Sequence, residues 1–502
     1  MGRILVILEV SRKQDYIFAS KELKQNAQRS AQITYVTSSA FFTEAAGDLY
    51  CEENNLVYAG GGHTVLQFTD EQQAYTFVQR VTHRAMCDFD GIELFAKQMR
   101  YDLEKTPGEN LKELSRQLEK KKALRQASFR RTSFGMELLN RETFHPEAIG
   151  AERPAATVSL QNDEKYPTKF SELAGEDNFI AVVHIDGNAM GRRVDCIYQD
   201  AGMDWADCCG KLRRFSAAIQ CDFEAAFAHT VDMLRKQGCE RNGILPIRPV
   251  ILAGDDVCFV TAGSLGLECA RIFIDQLTTM RNAEDEARYA ACAGVALVHQ
   301  KYPFHQAYQL SEELCSSAKA FGARFDSNGG VSAMDWHIEF GQLKGGLQQI
   351  RQEYITEDGN RLSLRPVVVT AQPEVEEQAS FRTYAFFRAL CSAMKSEYGR
   401  TARGKIKDLR TAFKQGEVES RFFFRQKEVQ HLLRHSFDAQ YQDEARWKQF
   451  RKILKKKAAI EKEPFRALCI AGETDTYCLY FDAIEMIDHF TVAEEEVQCK
   501  NV

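Results

Sequence analysis

Apolar and polar positions in residues 178–322 follow a single order of strand-like and helix-like patterns. The stretch NFIAVVHIDG (178–187) is an apolar run that ends in an Asp-Gly pair, and a polar loop is expected after it. Further along come a helical period over 205–237, a hairpin pattern PVILAGDDVCFVTAG (249–263), a helical period over 264–282, a strand-like run over 289–299 and a helical period over 304–322. This β-α-β-β-α-β order predicts a ferredoxin-like unit.

The first hundred residues repeat this order. They contain a strand-like run RILVILEV (3–10), a helical pattern over 20–47, a hairpin LVYAGGGHTVLQF (56–68), a helical pattern over 71–87 and a strand-like run GIELFAKQMRYD (91–102). When the hairpins are aligned, Gly62 and His63 occupy the positions of Asp255 and Asp256. The chain therefore predicts two copies of one unit, and the first copy lacks the aspartate pair.

Outside the two units the pattern changes. A charged helical stretch begins near residue 105 and a loop-rich, proline-containing stretch follows it, whereas helical patterns dominate beyond about residue 370, including EVQHLLRHSF (428–437). We therefore expect an α+β protein made of a first unit at 1–105, a helical connector and linker at 106–177, a second unit at 178–370 and a helical carboxy-terminal domain at 371–502.

Charge and composition argue against a protein that binds nucleic acid over its whole surface. The chain has 502 residues, of which 44% are hydrophobic and 27% charged, and its formal net charge is −6. Two stretches are nevertheless locally basic, GRTARGKIKDLRTAFK (399–414) and RWKQFRKILKKK (446–457). A solvated helix face and a docking surface for RNA, or for an RNA-bearing complex, are both compatible with them.

The fifteen cysteines include no Cys-x-x-Cys pair, so neither a zinc knuckle nor a disulfide framework is expected. The first residues, MGRILVILEV, do not resemble a signal peptide, and no apolar run reaches membrane-spanning length. These features predict reduced thiols and a cytoplasmic protein that does not bind membranes.

The candidate chemistry lies in three carboxylates. Asp186 ends the first strand of the second unit, and Asp255 with Asp256 forms the tip of the hairpin that should lie beside it. Hard oxygen ligands of this kind suit Mg²⁺ or Mn²⁺, and two such ions support phosphoryl or nucleotidyl transfer. The segment from Gly187 to Gly191 could offer backbone N–H groups to phosphate. A solvated hairpin tip without a metal is the structural alternative.

These motifs resemble the large polymerase/cyclase subunit of type III CRISPR effector complexes, which carries two palm domains. The second unit has Asp186-Gly187-Asn188-Ala189-Met190-Gly191 and Ala253-Gly254-Asp255-Asp256, similar to the strand end and Gly-Gly-Asp-Asp hairpin of the active palm. The segments EVSRKQDYIF (9–18), CAGVALVHQKYPFHQAYQLSEELCSSAK (292–319) and LSLRPVVV (362–369) are also similar to family segments. The likeness covers about residues 1–120 and 175–370.

The resemblance implies that ATP binds between the palms and is joined into cyclic oligoadenylate in a reaction that needs Mg²⁺ or Mn²⁺. It implies that Asp186, Asp255 and Asp256 hold the metals. It also implies that Lys319 contacts the triphosphate and that the nucleotide is contacted by Gly187, Asn188, Gly191 and Gly254. Ser216 is expected either near the adenine or as an ordinary helix residue. His63 is expected to be either packed in the protein or adjacent to the nucleotide.

The chain departs from the family pattern at several points. Asn188 stands where the family often has a second aspartate, and Ala253 replaces the first glycine of the hairpin. The sequence contains no His-Asp dipeptide, so the family's amino-terminal nuclease domain is not expected, and no four-cysteine zinc element separates the palms. These departures predict a reduced relative, of which a stand-alone protein would be one form.

Several functions remain open on the sequence alone. A nucleotide cyclase of antiviral defence is the leading hypothesis, with a cyclic-dinucleotide synthase as a second product class. The alternatives are a diguanylate-cyclase-like enzyme that uses GTP and a catalytically idle palm scaffold that binds RNA or protein. Retention of all three acids favours an enzyme, because an idle site gains nothing from their mutual repulsion.

Overall fold

The computed structural model describes residues 2–124, 136, 164–175, 177–341, 345–369, 372–395, 403–424 and 464–491. Its strands are β1 Ile4–Ser11, β2 Leu56–Gly60, β3 His63–Phe68, β4 Glu93–Arg100, β5 Phe179–Gly187, β6 Ile247–Ala253, β7 Asp256–Ala262, β8 Ala291–His299, β9 Ala333–Glu339, β10 Val367–Val368, β11 Phe465–Ile470 and β12 Glu473–Cys478. Short 3₁₀ turns lie at Gly47–Leu49 and Gly263–Leu265.

The helices connect these strands and cover their faces. They are α1 Lys13–Ile17, α2 Leu23–Val36, α3 Ser39–Ala46, α4 Glu52–Asn55, α5 Glu71–Asp88, α6 Pro107–Leu124, α7 Phe170–Leu173, α8 Met190–Ala201, α9 Trp205–Lys236, α10 Gly266–Thr279, α11 Phe304–Gly322, α12 Leu347–Gln352, α13 Pro373–Ala379, α14 Tyr384–Lys395, α15 Arg403–Lys414, α16 Glu417–Phe424 and α17 Phe481–Met486. No helix among the described residues is both long and apolar enough to cross a membrane.

The first unit is a four-stranded antiparallel sheet in the order β2-β3-β1-β4. Strand β1 is buried along almost its whole length, which explains why its sequence is a continuous apolar run instead of an alternating one. Helix α5 begins at Asp70, whose side chain accepts a hydrogen bond from the backbone N–H of Gln73. This order is that of the predicted ferredoxin-like unit, so the α+β class is confirmed.

The second unit has the same central order but is larger. Its six strands run β10-β9-β8-β5-β7-β6, and β5 pairs antiparallel with both β7 and β8. Strands β9 and β10 were not predicted, because β9 carries the charged Asp335 in the middle of an apolar run. The polar loop expected after β5 is wrong: it is helix α8, which buries only Met190, Ile197 and Ala201 and therefore appears polar in sequence.

The two units pack against each other in a reciprocal way. Helix α9 of the second unit lies against strand β2 of the first, and helix α2 of the first lies against strand β6 of the second. Each of the two hydrophobic cores contains residues from both sheets, such as Leu5 with Val183 and Val6 with Val260. This pairing brings the two hairpin tips towards one another.

The carboxy-terminal part is not purely helical. Strands β11 and β12 form a hairpin that the sequence analysis did not predict, and α17 follows it. In the predicted connector, a helix occupies Pro107–Leu124. The predicted helix at 428–437 and the basic stretch at 446–457 lie outside the described residues.

Candidate functional site

The three carboxylates meet at one end of the second sheet. The register of β5 against β7 pairs Asp186 directly with Asp256, and Ala253 pairs with Asp256 across the hairpin. The turn between them consists of Gly254 and Asp255 alone, and Gly254 has φ +68°, a conformation that favours glycine. Sequence reasoning therefore predicted correctly that these three residues lie together.

The carboxylates of the hairpin are held in an environment that disfavours their charge. Burial and the negative charge of Asp186 raise the pKa of Asp255 to about 6 and that of Asp256 to about 7. The side chain of Asp256 is 48% exposed, but its Oδ1 is buried and has no hydrogen-bond partner among the described residues. The site thus has an open side and an unsatisfied acceptor at its floor.

Lys319 lies beside Asp186. Its Nζ is 2.8 Å from Asp186 Oδ2 and donates a hydrogen bond of 3.1 Å to the carbonyl oxygen of Gly187. Burial lowers the pKa of Lys319, but Asp186 outweighs this effect and the pKa is raised above its usual value. The site therefore contains a positive charge at its edge, and the contact of this lysine with the triphosphate stays a prediction.

His184 completes the floor of the site and was missed by the sequence analysis. Its Nδ1 lies 3.7 Å from Asp256 Oδ1, its ring packs edge-on against Tyr308, and burial lowers its pKa. A neutral imidazole here does not compensate Asp256. The signal was the period of two along β5, which places His184 on the same face as Asp186.

The turn after β5 is close-packed at Gly187 and open at Gly191. A Cβ atom on Gly187 would lie 2.8 Å from Met190 Cε and 2.9 Å from Asp255 Cβ, whereas one on Gly191 would contact nothing within 4 Å. The amide of Asn188 donates to the carbonyl oxygen of Val331 at 2.9 Å, so this side chain anchors the turn. Gly187 is thus required by packing, and Gly191 leaves space beside the site.

Gln220 on α9 holds the hairpin turn and was also missed. Its Oε1 accepts a 2.6 Å hydrogen bond from the backbone N–H of Gly254, and its Nε2 donates to the carbonyl oxygen of Leu252. One helical turn earlier, Ser216 Oγ donates to the carbonyl oxygen of Ala59 at 2.7 Å. Ser216 therefore contacts the hairpin of the first unit, at the junction between the two units.

The first unit contains the equivalent position with different chemistry. Glu9 pairs with His63 in the register that Asp186 and Asp256 use, which supports the alignment of the hairpins. Glu9 is compensated by Lys122 at 3.2 Å and by Lys13 at 4.0 Å. Burial and the charge of Lys13 lower the pKa of His63 to about 4, so this histidine is neutral and contacts Tyr58 edge-on.

The second site supplies only some of the ligands that a divalent cation needs. Among the described ranges, no group of three His, Cys, Asp or Glu residues could hold an ion by itself. Mg²⁺ retains waters and takes phosphate oxygens, so a few carboxylates need not form a closed cage. The unsatisfied Oδ1 of Asp256 and the repulsion among the three acids suit a cation, and metal binding by Asp186, Asp255 and Asp256 stays a prediction.

A comparison with protein families matches the central part of the chain. Residues 179–325 match the family described as Cas10/Cmr2, second palm domain. A search of curated proteins found no relative.

Several solved structures share this fold. A chain of the Csm1–Csm4 cassette in complex with pppApApA aligns with TM-score 0.54 and 15% identity, over 97% of this chain and 69% of that one. The cassette in complex with cA4 gives TM-score 0.53 and 12% identity over the same shares, and Csm1 of T. onnurineus gives 0.54 and 15%. Residues 179–325 are thus similar to a Cas10/Cmr2 second palm domain, and the chain has the fold of Csm1.

Proposed function

We propose that this protein is a palm-domain nucleotidyltransferase that joins ATP into cyclic oligoadenylates in CRISPR-type defence. The observation that carries the proposal is the register that places Asp186 opposite Asp256, beside Asp255 and Lys319, at an open sheet end. Csm1–Csm4 cassettes with this fold have been solved with one ATP, pppApApA and cA4. The acids retained here, against Glu9 and His63 in the first unit, further support an enzyme.

Each group of the site has a role in this proposal. Asp186, Asp255 and Asp256 would hold Mg²⁺ or Mn²⁺, which when bound would neutralise phosphate charge and activate the attacking hydroxyl. Lys319 would bind the triphosphate with its Nζ while keeping Asp186 in place. Gly191 and the backbone N–H groups around it leave space for phosphate, because nothing lies within 4 Å of a Cβ at that position.

The first unit supplies binding surface in this proposal. Ser216 and His63 lie at its hairpin, where Ser216 already donates to Ala59. Gly254 shapes the hairpin of the second unit, and Asn188 anchors the turn after β5 through Val331. A nucleotide between the two hairpins would contact both units, while the chemistry takes place at the second.

We also propose that the protein acts with an RNA-bearing effector complex in the cytoplasm. The fold is shared with the Csm1–Csm4 subcomplex of the type III-A CRISPR-Csm interference complex, over 97% of this chain. The oligomeric state is left to measurement.

Incubation of the purified protein with each labelled nucleoside triphosphate and Mg²⁺ or Mn²⁺ tests the proposal. We expect ATP to give cyclic oligoadenylates and Asp255→Asn or Asp256→Asn to abolish them. Asp232→Asn is the matched control, because its side chain is 51% exposed against 48% for Asp256. A cyclic dinucleotide would change the proposed product class, and a product made from GTP would change the proposed substrate. An unchanged yield in the Asp256 variant would remove the metal site from the mechanism.

A further inference from the structure

A second pocket lies away from the carboxylates, between α11, the segment after α12 and the β11–β12 hairpin. Its volume is about 310 Å³, at the lower end of the range for small-molecule sites. Its lining contains five arginines and two acids, with aromatic rings between them: Arg324, Arg351, Arg361, Arg365, Arg382, Glu473, Asp475, Phe321, Tyr354 and Tyr477. We call it the arginine pocket.

The arginines at the rim and those at the floor differ in their partners. At the rim, Arg361 Nε lies 3.0 Å from Asp475, and Arg324 pairs with Glu473. Both acids belong to β12 and neutralise the rim. The floor consists of Arg351, Arg365 and Arg382.

The floor arginines have donors that remain unused. Arg365 is 3% exposed and pairs with Glu485 at 2.6 Å, yet its Nη1 has no hydrogen-bond partner among the described residues. Arg351 pairs with Asp335 through Nη2, and its Nη1 is likewise buried without a partner. Buried donors of this kind are costly unless a ligand or water satisfies them.

Arg382 contributes a third cation to the floor, and it has no carboxylate as an ion-pair partner among the described residues. Its Nε donates to the carbonyl oxygen of Pro366 at 3.1 Å, and its guanidinium stacks on the ring of Phe321 at 4.0 Å. Burial lowers the pKa of Arg382 to about 10.

We propose that the arginine pocket binds the phosphate group of a small phosphomonoester, of the size of a nucleoside monophosphate. Guanidinium groups bind phosphate through paired N–H donors, and stacking on Phe321 and Tyr354 fixes the planes of Arg382 and Arg365 in advance. The pocket is separate from the carboxylate site but shares α11 with it: Ala320 and Phe321 line the pocket, whereas Lys319 contacts Asp186. The proposal does not depend on the function proposed above.

Isothermal titration of the full chain in EDTA tests this proposal, because EDTA suppresses metal-dependent binding at the carboxylates. The probes are inorganic phosphate, 5′-AMP, adenosine and acetate. We expect one equivalent of phosphate or 5′-AMP to bind and neither adenosine nor acetate to do so. Arg351→Gln should weaken 5′-AMP binding by about tenfold, the effect of one charge-assisted hydrogen bond.

Arg361→Gln at the rim gives a second variant that leaves the buried floor intact, and we expect it to weaken binding about threefold. Its matched control is Arg214→Gln, another exposed arginine that forms an ion pair, with Glu284 at 2.6 Å. Binding of adenosine as tight as that of 5′-AMP, equal binding of acetate, no binding of phosphate or 5′-AMP at millimolar concentration, or equal affinities in the Arg361 and Arg214 variants would overturn the proposal.

Discussion

Asp186 differs from the other two carboxylates in having a cation beside it. Lys319 lies 2.8 Å from Asp186, whereas the nearest side chain with a titratable nitrogen at Asp256 is the buried His184, whose pKa is lowered. The repulsion in the site is therefore concentrated on Asp255 and Asp256, whose pKa values are raised to about 6 and 7. In the metal-free protein these two groups oppose folding whenever they are ionised.

This repulsion predicts a dependence of stability on pH in EDTA. Both folded pKa values lie above the unfolded value of about 3.9, so between pH 4 and pH 7 the folded state holds more protons. Their contribution to stability therefore falls as pH rises through that window. We expect Asp255→Asn/Asp256→Asn to match the wild-type Tm at pH 4 and to exceed it by about 1–3 °C at pH 8.

The control for this experiment is Asp232→Asn, which removes a carboxylate of similar exposure outside the candidate site. Added Mn²⁺ should raise the Tm of the wild type at pH 8 more than that of the double variant, because the proposed metal site needs both carboxylates in the folded state. A double variant that is less stable than wild type at pH 8 in EDTA would contradict the assigned repulsion.

His63 and Asp186 should contribute in different ways. His63 is neutral and packs against Tyr58, so His63→Ala should weaken nucleotide binding at most about tenfold. Asp186→Ala should remove turnover, because it deletes an acid of the proposed metal site and leaves Lys319 unpaired. Initial rates over a range of ATP concentrations distinguish these effects. Equal and complete loss of activity in both variants would contradict the division of roles between the two units.

At the residue scale, sequence reasoning predicted residues that share a strand end and missed those that arrive from elsewhere. Asp186 and the Asp255–Asp256 pair could be placed together because strand pairing fixes their proximity. Gln220, which contacts Gly254, and Lys122, which contacts Glu9 on β1, could not, since each reaches its partner from a helix whose rotation depends on tertiary packing. Periodicity alone does not reveal such contacts.

At the element scale, the two hairpins use different two-residue turns. In the first unit, Gly61 and Gly62 have φ values of +57° and +76°, whereas in the second unit only Gly254 has a positive φ. The second turn can therefore accept an aspartate at its second position without strain. This difference in backbone explains why Asp255 occupies the position that Gly62 occupies in the first hairpin.

The turn after β5 offers a comparison of two glycines. Gly187→Ala would push a methyl group against Met190 and Asp255, so we expect a loss of about 1–3 kcal/mol in unfolding free energy and of activity. Gly191→Ala meets no atom within 4 Å and should keep or slightly raise stability. If Gly191 leaves space for phosphate, its variant should still bind ATP more weakly. Urea unfolding and ATP titration together test both expectations.

For Gly191 the decisive observation is whether the alanine variant keeps its stability while it binds ATP more weakly. A Gly191→Ala protein with wild-type stability and wild-type ATP affinity would remove this residue from the proposed phosphate site. A Gly187→Ala protein as stable as wild type would show that the Met190 and Asp255 side chains can move away, contrary to the close packing at this turn.

Elements with strong periodicity were the ones that sequence analysis predicted. Helix α11 begins and ends where its pattern predicted, at Phe304–Gly322, because its apolar face packs on β8 and β9. The pattern failed for α8, which has few buried apolar positions, and for the β11–β12 hairpin, whose second strand buries only Tyr477 and Cys478. Their conformation depends on contacts with distant parts of the chain.

At the scale of the whole molecule, side chains connect the two palms beside the candidate site. Gln14 of the first unit donates to Glu312 of the second at 2.6 Å, and Ser216 of the second contacts Ala59 of the first. The charge of Lys13, a residue of the first unit, also acts to lower the pKa of Asp256. The electrostatics of the second site therefore depend on the presence of the first unit.

Two basic parts of the chain are candidates for RNA docking, helix α15 and stretch 446–457. In α15, Lys407 pairs with Asp488 at 2.7 Å and Arg410 with Glu485 at 3.3 Å, so these cations already hold the helix against the α17 region. Stretch 446–457 is basic in sequence and lies outside the described residues. We therefore place the docking hypothesis on that stretch.

This hypothesis predicts binding of single-stranded RNA that weakens steeply with salt and depends on Lys455, Lys456 and Lys457. Each phosphate contact contributes a slope of about −0.7 in log K against log salt, so the triple Glu variant should lower both affinity and slope. Lys105→Glu/Lys112→Glu/Lys120→Glu makes the same charge change on and beside α6 and should leave binding close to wild type. Fluorescence anisotropy across a salt series measures both quantities. Binding that ignores salt, or falls equally in both triple variants, would mean that any RNA response of the palms arises elsewhere.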